Sequence, residues 1–338
     1  MHGGVGRVSG YVARVRHDES PGGDVGLDPL VRSAAQRWAE SDHLLPEPVG
    51  FAPNSYPLLT VSDEDGRTVA AGSMHYTWYQ PGEVGRIWGV PDQHWLTPIV
   101  GGPEPARALD SLLTSWRDQL EDLPTGTGSE SAALVSWPAR DVAGIIPLQR
   151  HGLQPYTVLA ARQRRRGVPP SLPPRDVAIR LADISDLTQV VGLLMEEHRY
   201  EQNFGGVFLQ PDTAEQTRKV AARALNRSRS WIWLAERRGR AVGLLWVSPP
   251  ERSRWAKSLV KARPIAHIGY GVVSAAERGH GIGTALVSQA HQALDSHGVG
   301  VSVLNYAAMN PLSGPFWHRM GYRPVWTTWE VRPALALR

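Results

Sequence analysis

Residues 265–286, IAHIGYGVVSAAERGHGIGTAL, constrain this chain more than any other stretch. The apolar run 265–273 reads as a buried strand, and Arg278, Gly279, Gly281 and Gly283 follow it immediately before a helix-forming segment, residues 284–294. A strand, a glycine loop and a helix N-terminus in that order aim free backbone N–H groups and the positive helix end at one spot. Arg278 adds a charge there, and the glycines carry no Cβ to keep an anion away. The ligand this arrangement predicts is a phosphate or a pyrophosphate.

Exclusion narrows the choice. A Walker loop needs Gly-x-x-x-x-Gly-Lys-Ser/Thr, and the only lysines are Lys219, Lys257 and Lys261. A dinucleotide fingerprint needs a third glycine where Thr284 or Leu286 stands. What is left, Arg278-x-x-Gly281-x-Gly283 after a strand, resembles the pyrophosphate loop of the Gcn5-related N-acetyltransferase (GNAT) superfamily, which binds acetyl-CoA. Downstream, a strand at 301–307 is followed by Asn310, Ser313, Phe316, Trp317, Gly321 and Tyr322, at a spacing similar to the family's second motif. The resemblance covers roughly residues 176–332, and two motifs in order are far more specific than either alone.

The bulk properties fit a globular chain with room for two domains: 338 residues, 42% hydrophobic and 20% charged. Lysine plus arginine number 36 against 32 acidic residues, too slight an excess to argue for nucleic acid or a membrane as partner. Cysteine is absent, which removes disulfides, thiolate metal sites and a cysteine nucleophile together, and no metal is expected. The first residues hold no apolar core of signal-peptide length and no run approaches a membrane span, so the cytoplasm is the expected location.

Residues 1–28 are glycine-rich and charged, and the first ten or so are expected to be disordered. A helix is expected at 30–40, a hairpin at 57–76, a further strand at 85–90, a helix at 106–120 and a short strand at 132–135. Residues 163–175, with an arginine run and paired prolines, read as a stiff linker. Beyond it the pattern gives strand 176–181, helices 187–200 and 213–225, a hairpin at 231–247, a basic excursion at 251–264, and then the stretch described first. The order β-α-α-β-β-β-α-β-α-β, reached by pattern, is also the GNAT order.

The halves look duplicated. Placing Gly152 on Gly321 superimposes HGLQP on MGYRP and carries Asp141 onto Asn310 and Ser136 onto Asn305. The hairpin Gly66-Arg67 matches Gly239-Arg240 at nearly the same offset. The first copy has no loop arginine and carries prolines where N–H donors would be needed, so it should not bind CoA. The expectation is therefore an α/β (α+β) protein of two GNAT-like domains, each a mixed, mostly antiparallel sheet flanked by helices. Residues 1–162 form the degenerate copy, 163–175 the linker and 176–338 the catalytic domain.

The resemblance implies acetyl transfer to a primary amine, with a small-molecule amine as the favoured acceptor. A protein or peptide amine, or a non-catalytic acyl-CoA-binding role, are the alternatives. It implies that Gly271, Val272 and Val273 pair with the pantetheine arm, that the Val273 N–H faces the thioester carbonyl, and that Arg278, Gly279, His280, Gly281, Ile282, Gly283 and Thr284 hold the pyrophosphate. Asn310 would bond the pantetheine or a water, with Ser313 and Trp317 alongside. The family's usual tyrosine is replaced by Trp317, whose indole N–H is no acid near neutral pH, so either another group serves as acid, Tyr306 being the nearest candidate in sequence, or CoA leaves as the thiolate and is protonated by water. His267 and Glu236 are the candidate bases. Glu196, Glu197 and Glu201 could attract a cationic amine, Trp231 and Trp233 could stack on it, and the basic excursion could meet an anion.

Overall fold

Alternating apolar residues on either side of a glycine turn give each half a two-stranded hairpin, and the rest of each half is laid beside it in a single sheet. The computed structural model describes residues 27–51, 56–121, 130–164, 171–227 and 231–338. The expectation for the first ten residues, and residues 165–170 of the expected linker, lie outside these.

The first half comprises α1 (Asp28–Ser41), β1 (Leu58–Ser62), β2 (Thr68–Trp78), β3 (Asp92–Val100), α2 (Pro105–Glu121), β4 (Ser131–Pro138), α3 (Ile145–Arg150) and β5 (Gln154–Gln163). The second comprises β6 (Val177–Leu181), α4 (Leu187–Glu201), α5 (Thr213–Leu225), β7 (Trp231–Arg237), β8 (Arg240–Ser248), β9 (Ile265–Val273), α6 (Ile282–Ser296), β10 (Val301–Ala307), α7 (Ser313–Arg319) and β11 (Arg323–Val331). The second half repeats the order expected from its sequence. In the first half the strand expected at 85–90 is a 3-10 turn, Val84–Ile87, and the strand lies further on at β3. Pro98 inside β3 hid it: the proline is tolerated opposite Gly72 of β2.

The eleven strands form one mixed sheet in the order β1-β2-β3-β4-β11-β5-β10-β9-β8-β7-β6. The last strand of each half is exchanged. β5 leaves the first half to pair with β10, and β11 returns to pair with β4, the two meeting antiparallel at the centre. The halves thus share a sheet rather than merely touching, and each is completed by a strand of the other. The duplication is visible in detail. Gly152 and Gly321 both take positive φ, 82° and 90°. Asp141 accepts from the N–H of Ala143 as Asn310 does from that of Leu312, and the N–H of Gly101 bonds Val69 O as that of Ser274 bonds Val242 O.

Among the described residues only β3–β4 and β9–β10 run parallel, each joined by a crossover helix. Pairing of β9 with β10 stops at Ile268↔Leu304, so residues 269–273 and 305–307 diverge. α6 covers one face through Ile282, Leu286 and Val287, while α4 and α5 cover the other through Val190, Leu194 and Ala221. This wedge in the sheet is where the site forms.

Candidate active site

The N–H of Ser274 bonds toward β8, so by strand alternation the N–H and C=O of Val273 and Gly271 face the wedge. A register shift in the β8–β9 pairing, between Trp246 and Val247, bends the strand at Gly269. The open edge of β9 therefore ends next to the glycine loop. Gly279 and Gly281 both have φ of 81°, and a Cβ at either would meet nothing within 4 Å. Gly281 caps α6 with no side-chain bond to its first N–H groups. Arg278 is anchored by Nε to Val273 O at 3.0 Å, and its guanidinium lies 4.7 Å above the Tyr200 ring. Together these line a groove of about 450 Å³ that also takes in Val272, Gly283, Thr284 and Phe316.

Not every residue of the loop faces that groove. His280 is exposed, its ring turned to Glu277 O at 3.3 Å, and Ile282 offers only its backbone because its side chain is 1% exposed in the core. Glu196 is spent on the loop itself, accepting from Ser274 Oγ and the Ala275 N–H at 2.9 and 2.8 Å.

A second cavity, about 90 Å³, fills the wedge and shares Glu197, Glu201, Gly271, Ser313 and Trp317 with the groove. Its far wall comes from the other half: Thr157 of β5, placed there by the strand exchange, and Trp88, which follows the 3-10 turn. The segment after α4 locks that wall in place, the Phe208 N–H bonding Ile87 O at 2.8 Å. Tyr306 lies in the cavity with its hydroxyl 3.2 Å from His318 Nε2, and burial holds it in the protonated form by raising its pKa.

Glu201 stands where the two spaces join. A Cβ at Gly206 would come within 3.1 Å of its Oε2, which shows how closely the carboxylate is enclosed. Burial, helped by the charge of Glu197, raises its pKa to about 7, against the opposing pull of bonds from Asn310 and Ser313. Asn310 Nδ2 donates to Glu201 Oε1 at 2.5 Å while its Oδ1 caps the start of α7 through the N–H groups of Leu312 and Ser313. Asn310, which also lines the groove, thus holds Glu201 in place.

The two bases expected from the sequence are corrected by their surroundings. His267 does line the cavity, but it is 2% exposed, packed edge-on to Trp255 at 5.1 Å, and burial lowers its pKa to about 4. At neutral pH it is a neutral ring with little appetite for a proton. Glu236 lines neither cavity; it accepts from Arg180 Nη2 at 2.6 Å, in an ion cluster with Asp186 at the far side of the sheet. Sequence reasoning valued Glu201 only for its charge. The i, i+4 spacing of Glu197 and Glu201 was the available signal, whereas nothing local marks Trp88 or Thr157.

The basic excursion also serves another end. Lys261 pairs with Glu47, the Lys261 N–H bonds Leu44 O, and Leu259 O accepts from Trp326 Nε1, so the segment braces the first half. Trp233 belongs to the core and Trp231 packs beside it, away from both cavities.

Residues 190–322 match the family model of the acetyltransferase (GNAT) family. Within these bounds the chain is similar to the GNAT family. The whole chain is similar in fold to a GCN5-related N-acetyltransferase from Sphaerobacter thermophilus, at 17% identity and TM-score 0.55, covering 92% of this chain and 95% of that one. Weaker likenesses include a GNAT-family acetyltransferase from Colwellia psychrerythraea (11%, TM-score 0.47, 90% and 96%) and a tandem GNAT protein from the clavulanic acid biosynthesis pathway (17%, TM-score 0.44, 90% and 95%). No curated protein matches the chain at a significant level.

GNAT enzymes use acyl-CoA, and the residues present suit it: glycines open to an approaching anion, an uncapped helix start, an arginine and a free strand edge in one groove. Among the described residues no group of histidine and acidic side chains could hold a metal ion, and no helix is long and apolar enough to cross a membrane.

Proposed function

We propose that the chain is an N-acetyltransferase that moves the acetyl group of acetyl-CoA to a primary amine of a small molecule, with Glu201 as the base. The observation that carries this reading is the position of Glu201, a carboxylate with a pKa near neutrality at the junction of the phosphate-binding groove and the wedge. Gly279, Gly281, Gly283 and Thr284 hold the diphosphate with their N–H groups, Arg278 adds its charge, and the β9 edge at Gly271 and Val273 receives the pantetheine as an added strand. Bound there, acetyl-CoA supplies the thioester.

The amine nitrogen bonds to the carbonyl carbon as the C–S bond breaks. Glu201 takes the proton the amine gives up, and Tyr306, kept protonated by burial, gives one to the sulfur. Trp317 packs under Gly271, where a Cβ would meet its ring at 3.1 Å, and serves to shape the groove instead of donating a proton. The first half contributes Trp88 and Thr157 to the acceptor wall and binds no CoA of its own.

The test is thiol release. Purified protein with acetyl-CoA should liberate CoA stoichiometrically with N-acetylated product when primary amines are supplied. Tight acetyl-CoA binding with no amine-dependent release across small amines and peptides would favour the non-catalytic alternative, and turnover of peptides alone would move the acceptor class.

A further inference from the structure

The wedge is unusual in its charge. Its walls carry two carboxylates, Glu197 and Glu201, and neither lysine nor arginine. One of the pair must exchange a proton during acetyl transfer, so it cannot also be the fixed counter-charge of the acceptor. That leaves Glu197. Its Oε2 is engaged by His198 Nδ1 at 2.8 Å, which holds the carboxylate in place and leaves Oε1 for a ligand.

The surroundings of Glu197 fit a cation better than a neutral group. Trp88, His198 and Tyr270 form an aromatic cluster, with centroids 5.3 Å from Trp88 to His198 and 5.7 Å from Trp88 to Tyr270. Trp88 and Tyr270 both reach the cavity wall. An aromatic surface beside a carboxylate is favourable for an ammonium group and for the methylenes leading to it. Glu197 and Glu201 are separated by one turn of α4, which puts their Cβ atoms about 5–6 Å apart. The cavity has room for several water-sized atoms, the scale of a short chain.

Resting on the acetyl-transfer reading above, we infer that the acceptor is a short diamine or the end of a polyamine. Its reacting nitrogen sits at Glu201 and a second, charged nitrogen sits at Glu197 against Trp88 of the other half. Roughly three to five methylenes span the two carboxylates. An acceptor carrying its own carboxylate meets two like charges and is rejected.

Three compounds of matched length test this with the full chain and acetyl-CoA at pH 8: 1,4-diaminobutane, butylamine and 4-aminobutanoate. The diamine should exceed butylamine in kcat/KM by about tenfold or more, the worth of one hydrogen bond to a charged group. Aminobutanoate should be the poorest. Glu197→Gln should collapse the diamine-to-butylamine ratio toward one, and Trp88→Leu should raise the KM for the diamine more than it lowers kcat. Butylamine or aminobutanoate matching the diamine in the native protein would overturn the inference while leaving acetyl transfer standing. An undiminished ratio in a folded Glu197→Gln protein would overturn the assignment of Glu197. No turnover of any of the three by protein that binds acetyl-CoA would remove both the inference and the small-amine reading beneath it.

Discussion

At the end of α4 the second half holds Glu201 against Asn310; at the matching corner of the first half, Arg37 of α1 donates to Asp141 at 2.8 Å. The repeat that carries Asp141 onto Asn310 also sets Trp137 on Tyr306, Gly144 on Ser313 and Leu148 on Trp317. In the first half Trp137 is 3% exposed, its indole N–H donates to Asp141 O at 2.8 Å, and Gly144 is small because a Cβ there would clash with the ring at 2.4 Å. The wedge is plugged. An arginine–aspartate pair replaces a titratable carboxylate, and a tryptophan replaces a hydroxyl that reaches open space. The loop differs as well: the N–H of Gly102 is taken by Ser33 Oγ, and Pro103 and Pro105 have none to offer. One frame serves as the proposed catalytic site where polar groups face a cavity, and as a buttress where they are spent on each other.

The sharpest test of that contrast is the count of cofactor sites. Titration of the native chain with CoA in a calorimeter should give one site per chain, and Gly281→Glu should give none. The new side chain would occupy a positive-φ position and place a carboxylate in the path of the diphosphate. Two sites in the native protein, or one site surviving in Gly281→Glu, would break the comparison.

Next in size is Glu201→Gln, which keeps the bond from Asn310 but removes the proton acceptor. A fall in kcat/KM of about 10²–10⁴-fold is expected, with acetyl-CoA affinity retained. In the native protein, activity should rise with pH through about 7, since the carboxylate works only when ionised. Stability runs the other way. The folded-state pKa lies above the unfolded value, so ionisation costs the folded state, and stability from this group declines between about pH 4.5 and pH 7. Glu201→Gln should therefore melt a few degrees higher than the native protein at pH 8 and equally at pH 4.5. A variant of equal melting temperature at both pH values would show that the carboxylate is better solvated than its enclosure implies.

Arg37→Ala probes the plugged side. Removing the arginine leaves Asp141, with a side chain 4% exposed, buried without its partner. A loss of about 2 kcal/mol is expected, a discount from fully buried pairs because Arg37 is 19% exposed, with kcat per folded molecule unchanged. Chemical denaturation followed by intrinsic tryptophan fluorescence would measure it. Lost acetyl transfer in the folded variant would mean that the plugged corner itself, and not only Trp88 and Thr157, bears on the active wedge.

Much of this was legible in the residues of the second half. The glycine loop and the order of the ten elements follow from local periodicity and turn chemistry, because each is decided within a dozen residues, whereas the Asn310–Tyr322 spacing was legible only through its resemblance to the GNAT motif. The strand exchange is not legible. β5 is not among the strands expected from the sequence, and only the assembled sheet shows that residues 154–163 complete the other half. For the same reason Trp88 and Thr157 could not be assigned to the cavity. β3 was hidden by Pro98, an ordinary strand-breaking signal overruled by tertiary pairing. The base proposed here differs from the candidates His267 and Glu236 for another cause: burial, which the sequence does not show, inverts the solution order of histidine and glutamate by lowering His267 to about 4 and lifting Glu201 to about 7.

That inversion supplies the smallest predicted effect, and the most discriminating between the two candidate bases. With a pKa near 4, His267 stays neutral from pH 5 upward, so its protonation can shape neither limb of a pH–rate profile in the working range. It sits on β9 two residues from the bend at Gly269 and packs against Trp255, so its replacement disturbs the core beside the wedge. His267→Gln should lower kcat/KM by no more than about fivefold, within the range of a modest core change of about 1 kcal/mol, and leave the inflection near pH 7 in place. A loss comparable to that of Glu201→Gln, or a displaced inflection, would return the proton to the histidine.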